Sequence, residues 1–587
     1  MNGNPLAVTF IEFPSTTDGR LYGPLSHDVY SLVRLPSRAC DLLAAEARQA
    51  GYADTAALTP ALRKGGRLSR EDWARIAASD VVGISVITRT APPSYEAAQR
   101  IRAVNPRAKI LFGGPHFSAL PEEALEYGDV AVIREGDRTV VELLDRFRES
   151  FERPDLSGVA GIAYREDGGR VVHTEPRPFL TRAELDALPF PVLPAEVRRR
   201  ITRQTIVTSR GCPHGCEFCS VIQNFGRGYR FLSVDRTVEL IRHHLSMTRA
   251  PVFFADDNFT ANTGRVKRIL ERCLSEGIRL PRWSCQSRVE AAFDGELLDL
   301  MVRTGLDAIM VGFESVNDET LALWHKSSTL EKNREAIERF HEKGIFIHGM
   351  FVLGSDADTV ETIDQTTAFA KEMNLDTAQF FAITPIPGPP LTERLEAEGR
   401  VLTRDWHLYD AQHVVIQPRR MSAGELQDGL ARAFREFYSR REAIRKLFAN
   451  GPRRLHNCMI RFMGRRLVKR VIEETRPYRS DLDRIREWLT AAEETLGHYQ
   501  DCLSELRERA GQTGAHLSDA LERRVSGWTE GKDRFLAGFE ERMNVLKEGL
   551  GRLGESYQPF CRRVLADLRR CFQSAYEALP AQDSLEG

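Results

Sequence analysis

Thr208-Ser-Arg-Gly-Cys-Pro-His-Gly-Cys-Glu-Phe-Cys-Ser220 sets Cys212, Cys216 and Cys219 in a C-x3-C-x2-C array, directly after the apolar, strand-like run Thr205-Ile-Val-Thr208. Three thiolates at this spacing can hold one metal cluster. An electron-transfer iron–sulfur cluster takes four protein thiolates, and no fourth cysteine lies nearby, the nearest being Cys40 and Cys273. A three-thiolate site leaves one iron open to a small molecule. A zinc loop and a disulfide pair are the competing readings. Zinc needs a fourth ligand, and His214, lodged between the cysteines, points badly for the same ion.

The rest of the chain bounds the setting. Its 587 residues suffice for two to four domains. The 82 basic and 83 acidic residues leave a formal charge of −1, so no global field favours nucleic acid. No uninterrupted apolar stretch is long enough to span a bilayer, and Met1-Asn-Gly-Asn-Pro-Leu6 lacks the basic start and long apolar core of a secretory signal. Ten cysteines without a regular framework argue for a reducing, cytoplasmic location.

Residues 1–150 alternate strand-like runs (Leu6–Phe13, Val81–Ile87, Lys109–Phe112, Asp129–Ile133) with helix-like ones, which predicts an α/β, doubly wound parallel sheet. Such sheets bind ligands beyond the carboxyl ends of their strands, where Gly113-Gly114-Pro-His116 falls; the paired glycines suit either a close-lying ligand or a tight turn. A connector spans 151–201, with a hairpin around Asp167-Gly-Gly169 and the proline-rich strap Leu188–Pro194. Six further strand–helix repeats over 202–395 predict a parallel barrel or open sheet. Residues 396–450 read as a helical tail of that unit. Residues 451–587, proline-poor and rich in Arg, Glu and Leu, read as an independent helical bundle.

Taken in order, the cluster motif, Phe254-Ala-Asp-Asp-Asn-Phe259, Gly312-Phe-Glu-Ser315, Gly349-Met-Phe-Val-Leu-Gly354 and Ile386-Pro-Gly-Pro-Pro-Leu391 resemble the cobalamin-dependent radical S-adenosylmethionine (SAM) proteins. Gly113–Leu125 and Arg134-Glu-Gly-Asp137 resemble the second half of their cobalamin-binding domain. Within that class the nearest likeness is to the hopanoid methylases and the anaerobic magnesium-protoporphyrin cyclases.

The resemblance implies a partial (β/α)6 barrel, with Cys212, Cys216 and Cys219 on a 4Fe–4S cluster whose open iron takes SAM. It implies that Phe218 packs on the SAM adenine and that Asp256, Asp257 and Asn258 accept from its amino group. Gln286, Arg288 and Glu314 would hold ribose and carboxylate, and Gly349 and Gly354 would wall the adenine. Turn, ion-pair and core-packing explanations stand beside each of these assignments. Ser85, Thr88, Thr90, Gly113 and Gly114 are the groups placed for cobalamin. The D-x-H-x-x-G loop that supplies a lower cobalt ligand is absent, and His116 is read as peripheral to any corrin.

The implied activity is methyl transfer to an unactivated carbon of a small-molecule or lipid-like substrate. An oxidative cyclase or rearrangement enzyme is the alternative, and a non-catalytic cobalamin or redox sensor a second. A flavodoxin or ferredoxin would be the electron donor. In Cys458–Ile472, apolar residues at 459, 460, 463, 467, 468, 471 and 472 form one stripe and basic ones fill the rest. That pattern fits a helix packed on the bundle, or one in transient contact with an anionic membrane.

Overall fold

The computed structural model describes residues 6–14, 34–62, 67–448, 454–513, 536–551 and 553–577. The first sheet runs β2 (Thr55–Leu58), β1 (Val8–Glu12), β3 (Val81–Ser85), β4 (Lys109–Gly113) and β5 (Val130–Val132), all parallel. Both faces are covered, which is why these strands read as continuous apolar runs rather than alternating ones. Val8, Phe10, Val81 and Leu111 pack on Ala44, Leu143 and Phe147. Ile11, Val82, Ile84 and Phe112 pack on Ala98, Ile101 and Phe117 from the other side. Strand β2 escaped the sequence reading because Thr55-Ala-Ala-Leu58 carries little β propensity of its own; pairing with β1 makes it a strand.

Two strands of the presumed connector, β6 (Ile162–Arg165) and β7 (Val171–His173), add antiparallel to β5. The hairpin expected in 151–201 therefore belongs to the first sheet, and only the later part of that segment straps the units together.

The second sheet is six-stranded and wholly parallel: β8 (Gln204–Ile206), β11 (Val252–Phe254), β12 (Trp283–Ser287), β13 (Leu306–Glu314), β14 (Phe346–Leu353) and β15 (Thr377–Ala382), in sequential order. The free edge of β15 is covered by the helix Ala423–Phe437, and the Tyr438 hydroxyl accepts from Ala378 N–H and donates to Ala378 C=O.

A short hairpin, β9 (Ser209–Arg210) with β10 (Arg230–Phe231), fastens the two sheets together. Arg210 makes a two-pronged contact with Asp137 at 2.7 and 2.8 Å and reaches Glu135 at 3.0 Å, while Arg230 reaches Glu135 at 2.9 Å. These side chains are nearly buried, where paired guanidinium–carboxylate contacts fix orientation strongly.

The tail is not an independent bundle. One helix, Arg454–Thr513, runs 60 residues through Pro477, and the helices 536–550 and Gln558–Glu577 pack against it. Its Tyr478, Leu482, Ile485 and Trp488 share one continuous core with β11–β15. Tyr478 donates to Val414 C=O at 2.5 Å. Arg461, expected on a solvated face, is fully buried instead: it caps the carbonyls of Leu375, Asp376 and Phe437 and lies 3.5 Å over the Phe437 ring.

Candidate functional site

The cluster loop leaves β8 beside Asp256, at the carboxyl end of β11. Asp256 accepts from Thr208 N–H, Thr208 Oγ1 and Ser209 Oγ, and Arg265 packs behind, donating to Thr208. Its carboxylate is thus consumed inside the fold, where it holds the root of the cysteine loop. Asn258 is likewise turned inward, accepting from Thr260 Oγ1 at 3.2 Å. Of the Asp256-Asp257-Asn258 run only Asp257 lines the large cavity. Burial raises the Asp257 carboxyl above its ordinary range, with Arg38 opposing.

Cys212, Cys216 and Cys219 are free thiols, half-buried, and close enough to influence one another's ionisation. Burial, and behind it the charges of Cys216, Asp257 and Cys212, push Cys219 up to about 12 against the opposing N–H of Val221. Among the described residues no three His, Cys, Asp or Glu side chains converge on a single-ion site. Thiols that are neighbours without converging suit a cluster, in which each sulfur binds a different iron, better than one tetrahedral zinc. The donor set therefore fits the group that the spacing implies. Loading requires thiolates, so iron binding must displace protons.

Three cations stand against this loop. Arg288, nearly buried, lies 3.7 Å from Cys216 Sγ and pairs with Glu290. Lys326, buried, donates to Glu314 Oε1 at 2.7 Å. Lys332 reaches Glu290 at 3.3 Å. Their charges, behind the larger effect of burial, lower the pKa of His214. Glu314 holds a left-handed backbone, φ 65°, at the end of β13. Lys326 was missed because a lone lysine after a helix carries no sequence signal; its burial against Glu314 singles it out.

Phe218 meets Trp324 edge-on at 5.3 Å and packs by Val352, Ile383 and Leu391, so its ring sits in an apolar recess beside the cluster loop. Gln286 lies half-buried near the end of β12. The two glycines around β14 have internal explanations. A Cβ on Gly349 would strike Leu375 at 2.7 Å, and one on Gly354, whose φ is +98°, would strike Leu426 at 2.5 Å. Core packing by itself accounts for glycine at both positions.

A cavity of about 480 Å³ separates the two sheets. Glu12 and Ser85, at the ends of β1 and β3, line it together with Gly113, Gly114 and Cys40. Strand order 2-1-3-4-5 reverses between β1 and β3, and that switch point is where such sheets accept ligands. The opposite wall comprises Val207, Thr208, Asp257 and Ser220, the last adjoining Cys219. An apolar, two-walled space beyond the strand ends suits a large planar cofactor.

Thr88 and Thr90, the other two residues assigned to cobalamin, do not line this space. Thr88 bonds His116 Nδ1 at 3.3 Å, and Thr90 caps Ile87, so both hydroxyls are spent locally. Gly114, φ +97°, is required by the chain itself: a Cβ would lie 2.5 Å from Val86 C=O. His116 is buried rather than on the surface, and it lies outside the cavity, away from the space for a corrin. It joins Tyr95 at 3.1 Å, and Tyr95 donates to Glu123, which also accepts from Trp406 Nε1 at 2.7 Å. That knot ties the segment after the barrel back to the first sheet.

Comparison with known proteins agrees with this geometry. Residues 206–370 match the model of the radical SAM superfamily, and residues 34–144 match the B12 binding domain. An uncharacterized methyltransferase of Pyrococcus horikoshii is 30% identical over 376 residues, covering 62% of this chain and 80% of that protein. The anaerobic magnesium-protoporphyrin IX monomethyl ester cyclase of Rubrivivax gelatinosus is 25% identical over 461 residues, covering 76% and 80% respectively. The solved cobalamin-dependent SAM radical enzyme OxsB shares the fold, with a TM-score of 0.60 at 16% identity over 96% of this chain and 84% of that one. The chain belongs to the cobalamin-dependent radical SAM methyltransferase family. It is an enzyme whose cofactors are a 4Fe–4S cluster, SAM and cobalamin, and the sensor reading falls away.

Proposed function

We propose that this enzyme methylates an unactivated carbon of a small-molecule or lipid-like substrate held between the two sheets. The observation that carries this reading is the shared cavity, which has Glu12, Ser85 and Gly113 on one wall and Asp257 beside the cysteine loop on the other. When bound, the cofactors supply the electron, the hydrogen-abstracting radical and the transferable methyl group. The chain's own part is to hold them across one gap and keep it dry. Arg288 and Lys326 offer positive charge and Asp257 negative charge, matching the carboxylate and ammonium ends of an amino-acid ligand such as SAM. Phe218 provides the apolar contact and Gln286 a polar one near the ends of the same strands.

The reaction needs an electron donor such as flavodoxin or ferredoxin, and the half-buried cysteine loop is the place where one would deliver its electron. A cyclase remains the second reading, favoured by the resemblance to the Rubrivivax gelatinosus enzyme. Anaerobic turnover with methyl-labelled SAM separates the two. Methylation predicts S-adenosylhomocysteine and 5′-deoxyadenosine together, with label entering an extracted small molecule or lipid. Oxidative cyclisation predicts 5′-deoxyadenosine without S-adenosylhomocysteine, and that result would overturn the proposal.

A further inference from the structure

Helix Arg440–Phe448 and the first turns of Arg454–Thr513 pack side by side as an antiparallel hairpin, with Arg461 bonded to Phe437 C=O and Gly464 against Tyr438. On the facing ends of the two helices the apolar side chains point outward: Phe448 is 81% exposed, Leu455 73%, Met459 64% and Met463 56%. Leu455, Met459, Phe462 and Met463 recur at i, i+4, i+7 and i+8, which puts them on one face. The single apolar stripe read from the sequence is thus divided. Val468 is buried and Ile460, Leu467, Val471 and Ile472 are half-buried, while the methionines face away from the body.

The exposed face changes character along the helix. Arg465, Arg466, Lys469 and Arg470 follow Met463 and are all exposed. From Met459 to Arg466 the rise is about 10 Å, roughly two turns, so the basic side chains directly adjoin the apolar ones. Between Arg440 and Ile472 the sequence holds eleven Lys and Arg but one acidic residue, Glu442, which pairs with Arg445 at 2.7 Å. Lys469 keeps its exposure while lying 3.6 Å from Glu473. No described helix is long and apolar enough to cross a membrane.

We infer that this hairpin docks the enzyme on an anionic lipid bilayer, with Phe448, Leu455 and Met459 entering the headgroup region and Arg465, Arg466, Lys469 and Arg470 meeting lipid phosphates. An apolar tip backed by a cationic collar is complementary to such a surface, and a neutral protein groove would leave the collar unmatched. The inference stands apart from the reaction proposed above, because these side chains lie on the tail and not in the cavity.

Flotation of the full chain with vesicles tests it without turnover. The probes are phosphatidylcholine vesicles with and without phosphatidylglycerol, at low and high salt. The wild type should float with the anionic vesicles, release at high salt, and stay behind with phosphatidylcholine alone. Leu455→Ser/Met459→Ser and Arg465→Glu/Arg466→Glu should each lower partitioning about tenfold or more at an unchanged melting temperature. The salt and lipid dependence of the wild type decides the matter even if a variant fails to fold. Binding to neither vesicle, equal binding to both, or variants that bind like wild type would overturn the inference. So would a stable dimer that Leu455→Ser/Met459→Ser dissolves, which would assign the face to a second copy of the chain.

Discussion

Arg461→Met removes three charge-assisted hydrogen bonds from a fully buried site while roughly keeping the volume. In the wild type the guanidinium serves Leu375 and Asp376, at the entrance to β15, and Phe437, at the end of its covering helix. Each carbonyl left without a partner costs on the order of 1 kcal/mol or more, and losing the contact over Phe437 costs roughly 1–2 kcal/mol. Relief from burying a cation offsets part of this, and burial already pulls the Arg461 pKa down to about 10. The net expectation is about 4 kcal/mol. If barrel and tail melt as one body, that corresponds to a drop of roughly 5 °C in Tm. Differential scanning of the anaerobically purified protein, with limited proteolysis to locate the opening, reads the change. The variant should expose cleavage sites in both β15 and the tail. A melt within a degree of wild type, or cleavage confined to the tail, would refute the claim that the tail is part of the catalytic body.

Asp257→Asn should abolish SAM cleavage while leaving the melt and iron content near wild type, whereas Asp256→Asn should lower the melt and iron loading together; equal behaviour of the two variants in iron and melting assays would contradict their different placement. Ser85→Trp should fill the cavity and reduce bound corrin absorbance at unchanged Tm, but Gly114→Ala should destabilise the first sheet whether or not cobalamin is added, because its Cβ meets Val86. Burial holds the His348 imidazole down at about 4, so its contribution to stability is present above about pH 6.5 and lost as pH falls through 4. The gap corresponds to roughly 3 kcal/mol. His348→Gln should flatten the fall of Tm over that interval, and an unchanged slope would show that other groups carry it.

The sequence made the repeating architecture legible where pattern and environment coincide. Strands buried on both faces must be apolar throughout, so β13 to β15 stood out, and the cysteine spacing announced the cluster before any contact was known. Partner choice was not legible. Asp256 and Asp257 are the same residue side by side, and only the turn of the chain sends one to Thr208 and the other to the cavity. Thr88 and Thr90 look like available hydroxyls until His116 claims the first and the turn at Ile87 the second. Gly349 resembles a ligand-facing glycine, yet Leu375 fills the space above it.

The tail misled for a related reason. Periodicity reports which side of a helix is apolar, but Arg461 is buried by the carbonyls it satisfies, and the exposed Met459 and Met463 break the same rule in the opposite direction. Long-range pairs such as Arg210 with Asp137 likewise leave no local trace, although they set how the two sheets face each other.

The most direct measurement is iron content together with 5′-deoxyadenosine formation in anaerobically reconstituted wild type and in the Cys212→Ala/Cys216→Ala/Cys219→Ala variant. The account predicts about four irons per chain and reductant-dependent SAM cleavage for the wild type, with both lost in the variant at an unchanged circular dichroism spectrum. Retention of about four irons, or SAM cleavage undiminished without the three thiols, would contradict it.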